Sequence, residues 1–123
     1  MQTVATAGFK AMRSPVTWTN HIGTAPNYTI DAAWLDKVEQ VVKLTLDSGM
    51  YAIVNTHHDA DTQWVLLTAA AQPQVTAEVT AVWTQVANRL KPYSDYLIFE
   101  TFNAPLGPVN SFGSGNAEQQ TAL

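Results

Sequence analysis

The chemistry-bearing residues of this chain gather in three short polar clusters, Arg13-Ser14-Pro15-Val16-Thr17-Trp18, Asn55-Thr56-His57-His58-Asp59 and Asn103-Ala104-Pro105, each directly after an apolar run. Arg13 keeps its proton at any ordinary pH, so at the end of a strand it suits holding a carboxylate ionised; the plainer reading is a surface arginine. His57 and His58 are adjacent, and on an extended backbone their rings point to opposite faces. Only one would then share a pocket with Arg13, unless the strand bends. A metal site would draw further ligands from Asp59, Asp61 and His21, but the spacing matches no metal motif, and a hydrogen-bonded histidine pair is the simpler reading. Glu100 lies inside an apolar run. Turned inward it needs a cationic partner, and Arg13 is the obvious candidate.

These clusters need elements to hold them. Trp34, Leu35, Val38, Val41, Val42 and Leu46 recur at helical spacing between Asp31 and Ser48, with Asp31 as N-cap and Gly49 just past the end. Val79, Val82, Trp83, Val86 and Leu90 mark one face of a second helix over Val75–Leu90, with Glu78 and Arg89 turned elsewhere and Pro92 ending it. Phe9–Arg13, Tyr51–Thr56 and Tyr96–Phe102 are short, apolar and bounded by Gly, Pro or Asp, the pattern of buried strands. Gln2–Ala7 reads as the tail of an earlier helix. The order is strand, helix, strand, helix, strand, the repeat of right-handed βαβ units in a parallel α/β fold. In such folds the ligand site lies at the carboxyl ends of the strands, so the three polar clusters should converge on one rim. Trp34 and Trp83 sit on helix faces as core. Trp18 and Trp64 follow strand ends, where an indole either stacks on a sugar ring or covers the core.

Composition narrows the partners. The chain has 123 residues, 46% hydrophobic but only 13% charged, with fifteen threonines, no cysteine and net charge −4. The charged share is about half of the roughly 25% usual in soluble domains. Six scattered Lys and Arg make neither a nucleic-acid footprint nor a polybasic membrane patch. No apolar run approaches the roughly 18 residues of a membrane span, and the first residues lack the basic and apolar regions of a secretory signal. The absence of cysteine excludes disulfide scaffolds and thiol catalysis. No cofactor is called for. The sequon Asn27-Tyr28-Thr29 arises often by chance and decides nothing about glycosylation.

Four segments together resemble a known family. Gly8-Phe9-Lys10-Ala11-Met12-Arg13-Ser14-Pro15-Val16-Thr17-Trp18, then Thr29-Ile30-Asp31-Ala32-Ala33-Trp34-Leu35-Asp36, then Gly49 through Asp59, and Leu97-Ile98-Phe99-Glu100-Thr101-Phe102-Asn103-Ala104-Pro105 are similar, in order and gap, to signatures of glycoside hydrolase family 5, the cellulase group. The resemblance implies a secreted (β/α)8 TIM barrel that cleaves β-1,4-glucan with retention. It would use two glutamates, one in an Asn-Glu-Pro motif after strand four and one on strand seven. It implies that Arg13 braces the nucleophile, that His57 is the active-site histidine, and that His58 and Asn103 contact sugar. Trp18 joins them as a candidate substrate contact.

Two positions depart from that pattern. Ser14 stands where the family usually has a branched apolar residue. Ala104 stands at the acid/base glutamate, and a methyl group supplies neither proton nor charge. Residues 1–123 are then expected to be part of one catalytic barrel, strands two to four of eight and roughly 40% of a barrel of about 300 residues, with 106–123 as loop and the start of the next helix. Such a partial barrel would be inactive alone, and would pair with the missing barrel half or self-associate. The alternative is a non-catalytic carbohydrate-binding or scaffold half-barrel.

Overall fold

The computed structural model describes residues 1–61 and 70–103. Trp64, the side chain of Asp61, Ala104 and the 106–123 segment lie outside the described residues. The elements are α1 (Gln2–Thr6), β1 (Ala11–Ser14), α2 (Ala32–Asp47), β2 (Tyr51–Asn55), α3 (Gln72–Leu90) and β3 (Leu97–Glu100), with short 3-10 turns at Thr19–His21 and His58–Asp61. The strands form one parallel sheet in the order β1-β2-β3. This is a β-α-β-α-β segment, an incomplete (β/α)8 barrel, as the sequence predicts.

Register fixes which side chains share a face. Met12 pairs with Ala52 and Ala52 with Leu97; Arg13 pairs with Ile53 and Ile53 with Ile98; Asn55 pairs with Glu100. Because successive strand residues alternate faces, Met12, Ala52, Val54, Leu97 and Phe99 look toward the helices, and Arg13, Ile53, Asn55, Ile98 and Glu100 look the other way. Contacts agree with this assignment. Thr45 of α2 lies 3.9 Å from Met12 Sδ, and Trp83 of α3 meets Phe99 edge-on at 5.9 Å. Val38 and Val42 of α2, Val82, Val86 and Leu90 of α3, and Ala52 and Val54 of β2 make the buried core between helices and sheet. Each fully buried Val or Leu contributes about 1.5–3 kcal/mol relative to exposure.

The helix ends follow from local chemistry. Asp31 accepts a hydrogen bond from Trp34 N at 2.8 Å, a capped start for α2. At its far end Gly49 takes φ 75° and donates to Leu46 O at 2.9 Å, a conformation that glycine adopts without strain. Helix α3 begins three residues before the predicted Val75, because its first turn, Gln72-Pro73-Gln74, carries no apolar signal although proline is well accommodated there. Glu78 is buried rather than turned to solvent. The outer strands are shorter than predicted: β1 starts at Ala11, leaving Phe9 62% exposed, and β3 ends at Glu100.

Pairing continues past the strand ends, and this builds the rim. His57 N donates to Val16 O at 2.9 Å and Asn103 N donates to Thr56 O at 2.8 Å, drawing the three polar clusters into adjacent rows. The long β1–α2 connection is fastened to α3 by Gln85, whose amide accepts from Ile30 N and donates to Tyr28 O, both at 3.0 Å.

Candidate active site

Arg13 is the hub of the rim. It is level with Ile98, two residues below Glu100, with β2 between them, and its side chain climbs across the sheet. Nε donates to Glu100 Oε2 at 2.7 Å and Nη2 to Glu100 Oε1 at 2.8 Å, a bidentate pair. Nη2 also donates to Asn103 Oδ1 at 2.8 Å, and Nη1 lies 3.3 Å from His57 Nδ1. Nε and Nη2 direct their hydrogens at Glu100 and Asn103, and Nη1, which has only His57 Nδ1 beside it among the described residues, keeps at least one hydrogen for a ligand.

The electrostatics follow from these contacts. Hydrogen bonds from Arg13 hold the Glu100 carboxyl below the usual range despite partial burial, and Glu100 raises Arg13 in return. Glu100 is therefore a fixed anion whose role is to orient the arginine. His57 is pushed down, first by burial and then by the neighbouring His58 and Arg13, so it favours the neutral ring.

The predicted site residues separate into two groups. Arg13, His57 and Asn103 come together in one hydrogen-bonded cluster, with Glu100 as the expected partner of Arg13. His58 joins through geometry that adjacency on an extended chain does not allow: β2 ends at Asn55, the backbone turns, and the His57 and His58 rings meet edge-on at 4.6 Å. His58 Nδ1 lies 3.1 Å from Thr17 Oγ1. Trp18 is the correction. Its indole is fully buried, packed edge-on against Trp83 at 6.5 Å, so it covers the core and offers no face to a sugar. The backbone N–H of Trp18 turns inward too, donating to Asp59 at 2.8 Å, and Asp59 also accepts from Thr19 N at 2.7 Å. Asp59 is thus a buried acceptor that fixes the loop after β1. His21 stacks on Trp34 with ring centroids 3.8 Å apart, well placed as packing.

Asn55 had no assigned role in the sequence. It is fully buried, and its amide sits 3.2 Å from His57 Nδ1. The available signal was a polar residue closing an otherwise apolar strand on the face that carries Arg13.

Residues 1–121 match the family pattern described as Cellulase (glycosyl hydrolase family 5). Endoglucanase B of Clostridium cellulovorans is 44% identical over 119 residues, 95% of this chain and 27% of that protein. The cellulase/esterase CelE of Acetivibrio thermocellus is 50% identical over 105 residues, 85% of this chain and 13% of that protein. Among solved structures, a GH5-4 broad specificity endoglucanase from Ruminococcus champanellensis with bound cellotriose superposes with a TM-score of 0.89 at 40% identity, covering 97% of this chain and 34% of that one. The chain spans about a quarter of the length of the Clostridium relative. A match that runs from the first residue to the 121st, with structural agreement over nearly all of that length, makes one assignment: the chain belongs to glycoside hydrolase family 5, the cellulase family.

Proposed function

We propose that this chain supplies the Arg13, His57, His58 and Asn103 side of a β-1,4-glucan cleft in a secreted, retaining endoglucanase-type barrel, and that it holds glucan without cleaving it. The observation that carries the first half is the Arg13 hub. A permanent cation is locked by Glu100 and Asn103 at the carboxyl ends of parallel strands, with at least one Nη1 hydrogen unengaged among the described residues. The bound cellotriose in the Ruminococcus champanellensis relative supports an oligosaccharide ligand. The second half rests on Ala104. Cleavage with retention requires a carboxylic acid to protonate the leaving oxygen and later activate water, and alanine in the position after Asn103 does neither.

The sheet face bearing Arg13 also carries Tyr51, Tyr96 and Ile98, all more than 40% exposed, and Tyr51 and Tyr96 lie against one another at 4.6 Å. Exposure of such a face supports its being covered by the remaining strands of a barrel or by a second copy. The catalytic reading is tested by Ala104→Glu in the full-length protein, assayed on a soluble cellulose derivative. The unsubstituted protein should be inactive, and the glutamate should raise the rate about 10²–10⁴-fold, the usual contribution of general acid–base catalysis. No gain would favour a purely carbohydrate-binding or scaffold role.

A further inference from the structure

Asn55 closes β2 fully buried, so the polar atoms of its amide must find their partners inside the protein. A primary amide fits its slot either way round, and the two ways make different bonds. With the oxygen toward the rim, Asn55 accepts from Arg13 Nη2 at 2.7 Å and faces His57 Nδ1 at 3.2 Å, while its nitrogen donates to Ser14 O at 3.2 Å. Reversed, the oxygen accepts from Val16 N at 3.3 Å and the nitrogen gains a lesser interaction with Glu100, but that nitrogen then stands 2.7 Å from Nη2. A guanidinium carries only donors, so two sets of hydrogens would collide there. One long bond from Val16 does not offset that collision, and the oxygen belongs on the rim side. His57 Nδ1 must then answer an acceptor at 3.2 Å with a proton. Arg13 Nη1, 3.3 Å from the same nitrogen, calls instead for a lone pair. The two demands are unequal: the Arg13 side chain is 36% exposed, so water or a ligand can take the Nη1 hydrogens, whereas the buried amide cannot turn elsewhere.

We infer that Asn55 is a positioning residue for His57, holding the ring proton on Nδ1 so that Nε2 carries the lone pair. Burial, His58 and Arg13 keep the ring neutral, and Nε2 meets no polar partner among the described residues. The rim then offers the Nη1 hydrogens of Arg13 as donors and Nε2 of His57 as an acceptor. That combination fits a ligand hydroxyl, which accepts and donates through one oxygen. The meaning of this arrangement for glucan rests on the function proposed above, but the position of the proton does not.

The test is imidazole nitrogen-15 NMR on the whole chain at pH 7.5, with the His57 ring assigned by the signals lost in His57→Gln. The expected spectrum shows His57 as a single Nδ1-protonated tautomer. Asn55→Leu, close in shape but without an acceptor, should move the proton to Nε2 and leave Nδ1 to accept from Arg13. Asn55→Asp, which keeps an oxygen in place, should keep the proton on Nδ1. A wild-type ring protonated on Nε2 or averaging between tautomers, a folded Asn55→Leu protein with the proton still on Nδ1, or its loss from Nδ1 in Asn55→Asp would each overturn the inference. Should Asn55→Leu fail to fold, the wild-type and Asn55→Asp spectra still decide. Any of these outcomes leaves glucan binding to be judged separately, by titration with cellotriose.

Discussion

Arg13 on β1 grips both carboxylate oxygens of Glu100 on β3 although β2 runs between them. Neighbouring parallel strands lie about 4.8 Å apart, so the two outer strands are roughly 10 Å apart and the two side chains close that gap together. The contact ties the two outer strands together at the rim and leaves the rest of the guanidinium to organise His57 and Asn103.

Breaking this pair should cost orientation more than stability. Both side chains are about one-third exposed, so solvent screens the attraction, and Arg13→Met is expected to lower folding stability by only about 1 kcal/mol. Chemical denaturation measures this. A loss above about 3 kcal/mol would mean that the pair is a structural anchor rather than an orienting device.

Stability should fall in acid in two stages. His57 is depressed in the folded state, so below its ordinary value of about 6.5 the unfolded chain binds a proton that the folded chain refuses, and stability declines as pH drops through that range. Glu100 and Glu39 are also depressed, by hydrogen bonds from Arg13 and Arg89. Their contribution is complete above the unfolded value of roughly 4.3 and is lost as pH falls below it toward the folded values. Denaturation midpoints at pH 7.5, 5.5 and 3.5 should step downward, and His57→Gln should remove the first step alone.

Trp18 should behave as core. Trp18→Ala is expected to destabilise the fold by about 3–5 kcal/mol, the range for deleting a large buried aromatic. Thermal melts check the loss. Weaker glucan binding in a variant that keeps its melting temperature would instead return Trp18 to the cleft.

Much of this was legible in the sequence. Apolar periodicity gave α2 within a residue at each end because Asp31 and Gly49 bracket it with specific backbone chemistry. The Arg13–Glu100 pairing followed from the cost of a lone carboxylate inside an apolar run. Three features were not legible, each for a tertiary reason. The bend after Asn55 that brings His57 and His58 together depends on pairing between Val16 and His57, which one strand does not encode. The burial of Trp18 depends on Trp83, 65 positions later in the chain. The role of Asn55 depends on which groups two neighbouring strands place beside it.

Ser14 offers a simple gain. It faces an open apolar groove of about 450 Å³ lined by Met12, Val16, Trp34, Val38 and Val41. Ser14→Val places a branched apolar side chain in that groove on a strand, where such residues fit well, and should stabilise by about 0.5–1 kcal/mol, read as a higher denaturation midpoint. An unchanged or lower midpoint would show that the groove cannot close on the added methyl groups.

The central claim is that Arg13 organises a glucan-binding rim from three strand ends. The most direct measurement is titration of the nitrogen-15-labelled chain with cellotriose, followed by amide and imidazole NMR. The account predicts saturable shifts concentrated at Arg13, His57, His58 and Asn103, weakened at least tenfold in affinity by Arg13→Met while the Tyr28–Ile30 loop signals stay in place. Shifts scattered over the surface, no shifts at millimolar cellotriose, or binding indifferent to Arg13→Met would contradict it.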